Sequence, residues 1–327
     1  MFKKVKNIVI RISVSVLSLA LMFYMVKGEI LEALTHIRNI DLVLLVIAVI
    51  INFLSLIIVT YRIRTILLIQ KIKLGFARLY YLWVISLFFN LFLPSAVGGD
   101  IAKAYYIAKD SGKKFASITS VLLDRFFGLI ATISIGSFAY LLGRDHIDDP
   151  KIGQVILWAA AVVIIGLLFL LSRRFSKPVK SLLLKISPSK MRELLVRLFE
   201  AFDLYRNRRA DFFVLFLHSL AAQTVFVFLI YVLAKSIHID LPITVFFLFM
   251  PLITLISMIP SIGGLGVREA ATIYLFKGYV SLDQAVALSL IFDLFIYGIG
   301  FACGILYAIK GGVSISEIER IEKSQEI

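Results

Sequence analysis

From Leu42 to Tyr61 the chain runs for about 20 residues without a single charged side chain, the length of a helix that crosses the hydrocarbon of a bilayer. Weakly charged apolar runs of similar kind occur at 12–26, 116–142, 152–171, 212–234 and 285–309. In lipid the backbone must satisfy its own hydrogen bonds, and apolar runs of this length do so as helices. With 60% hydrophobic and 17% charged residues the whole chain has lipid as part of its solvent. The 327 residues accommodate roughly six to eight crossings and leave no room for a sizeable domain outside the membrane.

The distribution of charge predicts how these spans are oriented. A net charge of +14 would suggest nucleic acid in a soluble protein, but in a membrane protein Lys and Arg collect in cytoplasmic loops and meet anionic inner-leaflet lipids, so nucleic acid is excluded as a partner. Lys3, Lys4, Lys6 and Arg11 precede the first apolar run, which no A-x-A cleavage site follows, and an uncleaved first span is expected. Arg62, Arg64, Lys71, Lys73 and Arg78 are read as one cytoplasmic loop, and 172–210 is the most basic segment of all. Both termini are therefore expected in the cytoplasm, with 143–151 and 235–240 outside. Within 172–210, Met191, Leu194, Leu195, Leu198, Phe202 and Tyr205 share a helical face, predicting an amphipathic connector at the inner leaflet.

Two stretches break the apolar pattern in the same way. Pro94-Ser95-Ala96-Val97-Gly98-Gly99-Asp100 recurs as Pro260-Ser261-Ile262-Gly263-Gly264-Leu265-Gly266, and each is followed by a short helix and then by a span containing an Asp, Asp124 or Asp293. Lys113 and Lys114 must lie on the same side as Arg78 if 172–210 is cytoplasmic, so 79–109 is predicted to enter and leave on one face as a re-entrant hairpin. The same reasoning makes 242–277 a hairpin from the opposite face. The expected fold is an all-α polytopic membrane protein of two inverted-topology repeats: residues 1–142 (spans 12–26 and 42–61, hairpin 79–109, span 116–142) and 143–309 (span 152–171, connector 172–210, span 212–234, hairpin 242–277, span 285–309), followed by a cytoplasmic tail, 310–327. Secondary transporters use this plan, with substrate bound where the broken helices meet.

The breaks also carry the candidate chemistry. Asp124 and Arg125 lie inside a span, where each charge costs roughly 2.5–3.5 kcal/mol, and as sequence neighbours they point about 100° apart and need partners from elsewhere. Asp293 has the same need, and the hairpins supply Asp100, Lys103, Arg268 and Glu269. A Pro/Gly break before a half-helix exposes backbone N–H groups and the positive end of a helix dipole, which suits a phosphate. The substrate-binding set is thus Gly98, Gly99, Asp100, Lys103, Asp124, Arg125, Gly263, Gly264, Gly266, Arg268, Glu269 and Asp293. Three plainer roles compete: ion pairs that only tie helices together, glycines that only allow close packing, and Asp100 as an N-cap. Catalytic and metal residues are expected to be absent. Cys303 is the one cysteine, the four histidines are scattered without ligand spacing, and no phosphate loop, H-E-x-x-H zinc motif or nucleophile elbow occurs, so no cofactor is expected.

The blocks NLFLPSAVGGDIAKAYYIAK (90–109), SVLLDRFFGL (120–129) and MIPSIGGLGVREAATIYLF (258–276) resemble the signature segments of the lysylphosphatidylglycerol synthase transmembrane region, a flippase-like family of integral membrane proteins. The resemblance implies movement of a phospholipid, aminoacylated in the bifunctional members, where a separate soluble domain makes it from aminoacyl-tRNA. Ile327 ends the chain without such a domain, so lysyl transfer is put in doubt while translocation carries over to Asp100, Asp124, Arg125, Arg268 and Glu269. The expected function is a lipid translocase of the cytoplasmic membrane with a phosphate-bearing lipid as substrate. The alternative is an intramembrane lipid-modifying transferase, or a partner subunit of a phosphatidylglycerol lysyltransferase. A second copy of the chain and a separate lipid-modifying enzyme are the candidate protein partners.

Overall fold

The computed structural model describes residues 30–92, 98–143, 208–259 and 265–309 continuously, and scattered helical positions between 153 and 204. The described residues are helical, without strands, and form nine helices: α1 (Ile30–Arg38), α2 (Leu42–Ile69), α3 (Phe76–Phe92), α4 (Gly98–Ser111), α5 (Lys114–Gly143), α6 (Arg209–Ser236), α7 (Ile243–Ile256), α8 (Val267–Phe276) and α9 (Leu282–Ile309). Four of them, α2, α5, α6 and α9, are long and apolar enough to cross a membrane. The protein is an all-α polytopic membrane protein. The expected spans 12–26 and 152–171, the connector and the tail lie wholly or largely outside the described residues.

Helix boundaries follow from local chemistry. At 28 residues α2 is about 42 Å long, well beyond the roughly 30 Å of hydrocarbon. It therefore does not stop at Tyr61: Arg62 and Arg64, expected in a loop, are helical, and Ile66, Leu67 and Ile69 beyond them are buried. The apolar stripe of the last two turns holds the helix together past its charges. Its end is a Schellman closure, with Lys71 in the left-handed region (φ 59), the Ile72 amide on the Leu67 carbonyl and the Lys71 amide on that of Leu68. Helix α6 ends the same way, with His238 at φ 62 and the Ile239 amide on Ala234. The order long helix, shorter helix, break, shorter helix, long helix thus occurs twice, as α2 to α5 and as α6 to α9. Helix α1, by contrast, falls where no element was expected.

The chain forms two compact units, each drawing on both halves of the sequence. The first comprises Met1–Leu56, Val84–Gly99 and Thr224–Gly312, the second Ile57–Trp83, Asp100–Gln223 and Val313–Ile327. In the first unit α8 packs on α7 and α9, and α1 packs on α9. Phe276 of α8 meets Phe246 and Phe249 of α7 at ring-centre distances of 5.2 and 5.4 Å. Gly300 and Gly304 make a notch on α9 that Leu91 and Phe88 of α3 fill so closely that a β-carbon at either glycine would overlap them. The second unit has a core of Ile66, Ile69, Leu123, Phe127 and Leu215, with Phe212 against it. Its polar ties include Thr119 to Gln70 (2.9 Å) and a two-bond pair from Arg78 to Asp110.

Candidate functional site

The second unit brings five charged side chains into one alternating line. Asp100 opens the first turn of α4, and Lys103 stands one turn later on the same face, its Nζ 3.1 Å from Asp100 Oδ1. Arg125 of α5 donates from Nη1 to Asp100 Oδ2 at 2.6 Å. Lys103 Nζ lies 3.7 Å from Asp124 Oδ2, and Arg62 donates from Nε to Asp124 Oδ1 at 2.7 Å and from Nη1 to Ser219 at 3.1 Å. The adjacent pair Asp124–Arg125 is thus split between different partners, as helix geometry requires. Burial is graded along the line: the side chains of Arg125 and Asp100 are 26% and 20% exposed, those of Lys103, Asp124 and Arg62 only 1%, 3% and 7%.

Two properties of this line bear on ligand chemistry. Among the described residues three cations face two carboxylates, an excess of one positive charge in a largely dry environment. In addition, the Lys103 ammonium is held by its ion pairs with Asp100 and Asp124 and has no further acceptor in hydrogen-bond geometry among the described residues. The ammonium also sits over the Trp83 ring, with Nζ 3.2 Å from the ring centre. The indole face offsets part of the cost of burying the ammonium but accepts no conventional hydrogen bond.

The first unit holds a smaller cluster of opposite balance. Arg268, in the first turn of α8, directs Nε (2.8 Å) and Nη2 onto Asp293 Oδ1 of α9, and its guanidinium carbon is 5.2 Å from the centre of the Phe292 ring. Glu269 is 2% exposed, and neither of its carboxylate oxygens has a hydrogen-bond donor among the described residues. One cation here faces two carboxylates. Gly266 caps α8 at φ 81, a conformation that glycine alone adopts cheaply.

The glycines otherwise divide. Gly99, whose amide was expected to be open to a phosphate, donates it to Asn90 Oδ1 at 2.7 Å, and a β-carbon there would run into the Ser86 carbonyl. It seats the start of α4 against α3. Gly98 begins α4, and Gly263 and Gly264 lie outside the described residues. Arg62 is the residue that sequence reasoning missed. Its position four and seven residues before Ile66 and Ile69 puts it on the buried stripe, whereas Arg64 is exposed, and that phase was the available signal.

The family model of the lysylphosphatidylglycerol synthase TM region matches residues 8–304. The chain belongs to that family. Both charged clusters fall inside the matched range, and so do all four helices long enough to cross a membrane up to the last turns of α9. No curated protein matches the chain. As a member of the lysylphosphatidylglycerol synthase TM region family it is a membrane protein of lipid metabolism.

Proposed function

We propose that the protein translocates a phosphate-bearing lipid across the cytoplasmic membrane, binding the headgroup on the line Arg125–Asp100–Lys103–Asp124–Arg62 while the acyl chains stay in lipid. The observation that carries this reading is the buried Lys103 ammonium, which beyond its two ion pairs has no hydrogen-bond acceptor among the described residues, in a cluster with one positive charge in excess. A phosphodiester carries one negative charge and unshared oxygens, so it balances the cluster and completes the ammonium. The partly exposed Arg125 is the point of entry, and the dipole of α4 adds to the attraction at Gly98–Asp100. Phosphate and Asp100 then compete for Arg125 and Lys103, so binding exchanges ion pairs between α4 and α5 without stranding a charge. Aminoacylated lipids fit the same site through their phosphate.

The inverted-repeat plan is part of this proposal. Three echoes support it: the doubled helix order, the shared Schellman closures of α2 and α6, and the cation four residues after each Gly pair, Lys103 or Arg268, that meets an Asp of the next long helix. Cytoplasmic termini and anionic inner-leaflet lipids at the connector belong to the same reading, as do Gly263 and Gly264 near the second break.

Purified protein in liposomes containing a fluorescent phosphatidylglycerol tests it. Bleaching of outer-leaflet label beyond one half of the total is expected for the wild type and for Arg78→Ala, and not for Lys103→Met or Arg125→Ala. Unchanged label movement in both site variants refutes the site. A chemically altered lipid in place of movement favours the transferase.

A further inference from the structure

The first unit's cluster has a charge problem that the headgroup reading does not use. Arg268 is committed to Asp293 by two donors, and Glu269, adjacent to Arg268 in sequence, is almost wholly buried with neither oxygen met by a donor among the described residues. Its polar neighbours among the described residues include its own backbone amide, the Arg268 guanidinium and the Asp293 carboxylate, and no donor there meets either oxygen in bonding geometry. An ionised carboxylate without donors in such a place is strongly disfavoured. No third His, Cys, Asp or Glu among the described residues joins the pair to make a site for a divalent metal. A proton resolves the problem most simply, because an un-ionised Glu269 gains a donor of its own and removes the surplus negative charge.

We infer that Glu269, beside the Arg268–Asp293 ion pair, is a proton-binding site, loaded and released as the protein works. The groups facing it among the described residues are few. Helix α8 contributes Arg268, and α9 contributes Asp293 and, one turn further, Tyr297, whose hydroxyl also lacks a partner among the described residues. Helix α7, the other neighbour of α8, has no titratable side chain, nor does the sequence from Ser257 to Gly266. Helix α1 packs on α9, but its His36 is held by Asp283, ten residues from Asp293. On and just beyond α6, Tyr231 turns its ring to Phe246, and Lys235 pairs with Asp240. With the proton the cluster is neutral, and without it the cluster carries one negative charge, so any step that opens it to water favours release. Coupling of this release to headgroup movement rests on the function proposed above; the proton site itself does not.

Infrared difference spectra of the protein in lipid, recorded across neutral pH, read the site without any transport. The wild type is expected to show the C=O stretch of an un-ionised carboxyl, shifted in Glu269→Asp and missing in Glu269→Gln. Absence of the band, or its survival in Glu269→Gln, overturns the site, as do carboxylate bands that respond to sodium chloride in place of pH. Failure of Glu269→Gln to insert also counts against it, since that side chain has the shape and charge of the protonated acid. In liposomes an imposed pH gradient is expected to change the rate of labelled phosphatidylglycerol movement several-fold in the wild type and not at all in Glu269→Gln. A band without gradient dependence leaves the proton site and refutes the coupling. A band in a protein that moves no lipid under any gradient sinks the translocase reading alone.

Discussion

Replacing Arg62 by Ala isolates the energetic role of the deepest ion pair. The pair is 2.7 Å long between side chains only 7% and 3% exposed, so solvent screens it little. Removing one partner of such a pair costs about 3–5 kcal/mol because the other charge stays buried. Asp124 retains Lys103 at 3.7 Å, which places the expected loss at the lower end, about 3 kcal/mol, or roughly two orders of magnitude in the unfolding equilibrium. Equilibrium unfolding of the purified protein by SDS in mixed micelles measures it. Adding Asp124→Asn to Arg62→Ala removes the stranded charge and is expected to recover at least about 1 kcal/mol, a coupling that two independent sites would not show. Arg78→Ala serves as the reference, since its pair with Asp110 has side chains 40% and 21% exposed and is worth about 0.2–1 kcal/mol. If Arg62→Ala destabilises no more than Arg78→Ala, the buried line is not what ties α2 to α5.

Gly99→Ala is expected to lose about 1–3 kcal/mol, and folded protein with it, because its β-carbon meets the Ser86 backbone, whereas Gly75→Ala meets nothing; melting in detergent compares them. Gly266→Ala forces an L-residue to φ 81 and is expected to cost about 1–2 kcal/mol in the same assay, with Gly278→Ala close to neutral. For topology, the native Cys303 is fully buried and leaves a clean background, and an impermeant thiol reagent is expected to reach Ser187→Cys only after the membrane is opened. Labelling from outside intact cells would overturn the orientation on which the inverted repeat depends.

The helices were legible wherever an apolar run had its full length and a Pro/Gly break bounded it. Helices α6 to α9 start and stop within about three residues of the expected positions, because lipid leaves an uncharged run few alternatives. Arg62 shows where that logic fails. A charge was taken as the end of a span, yet a guanidinium with a buried carboxylate waiting for it can sit inside the helix, and only the phase of Ile66 and Ile69 marks it. The need of Asp124, Arg125 and Asp293 for outside partners was readable from the cost of unpaired charge; which partner each takes was not, since that depends on how α2, α4 and α5 pack. Arg268 and Glu269 were read alike, as partners for the span charges and members of the headgroup site, because a sequence lists charges without their ligands. Once Arg268 is committed to Asp293, the two clusters have opposite balances.

The placement of Trp83 against Lys103 has a practical consequence. The chain contains two tryptophans, and the other, Trp158, is 74% exposed. In a Trp158→Phe background the remaining indole emits with an ammonium 3.2 Å from its ring centre, a charge close enough to shift its spectrum. An anion that draws Lys103 away from the ring alters that emission as it binds. The protein therefore has a built-in optical reporter at the buried middle of its charged line, and a panel of phosphate lipids can be titrated against it in detergent, with neither label nor liposome, to find which of them binds there.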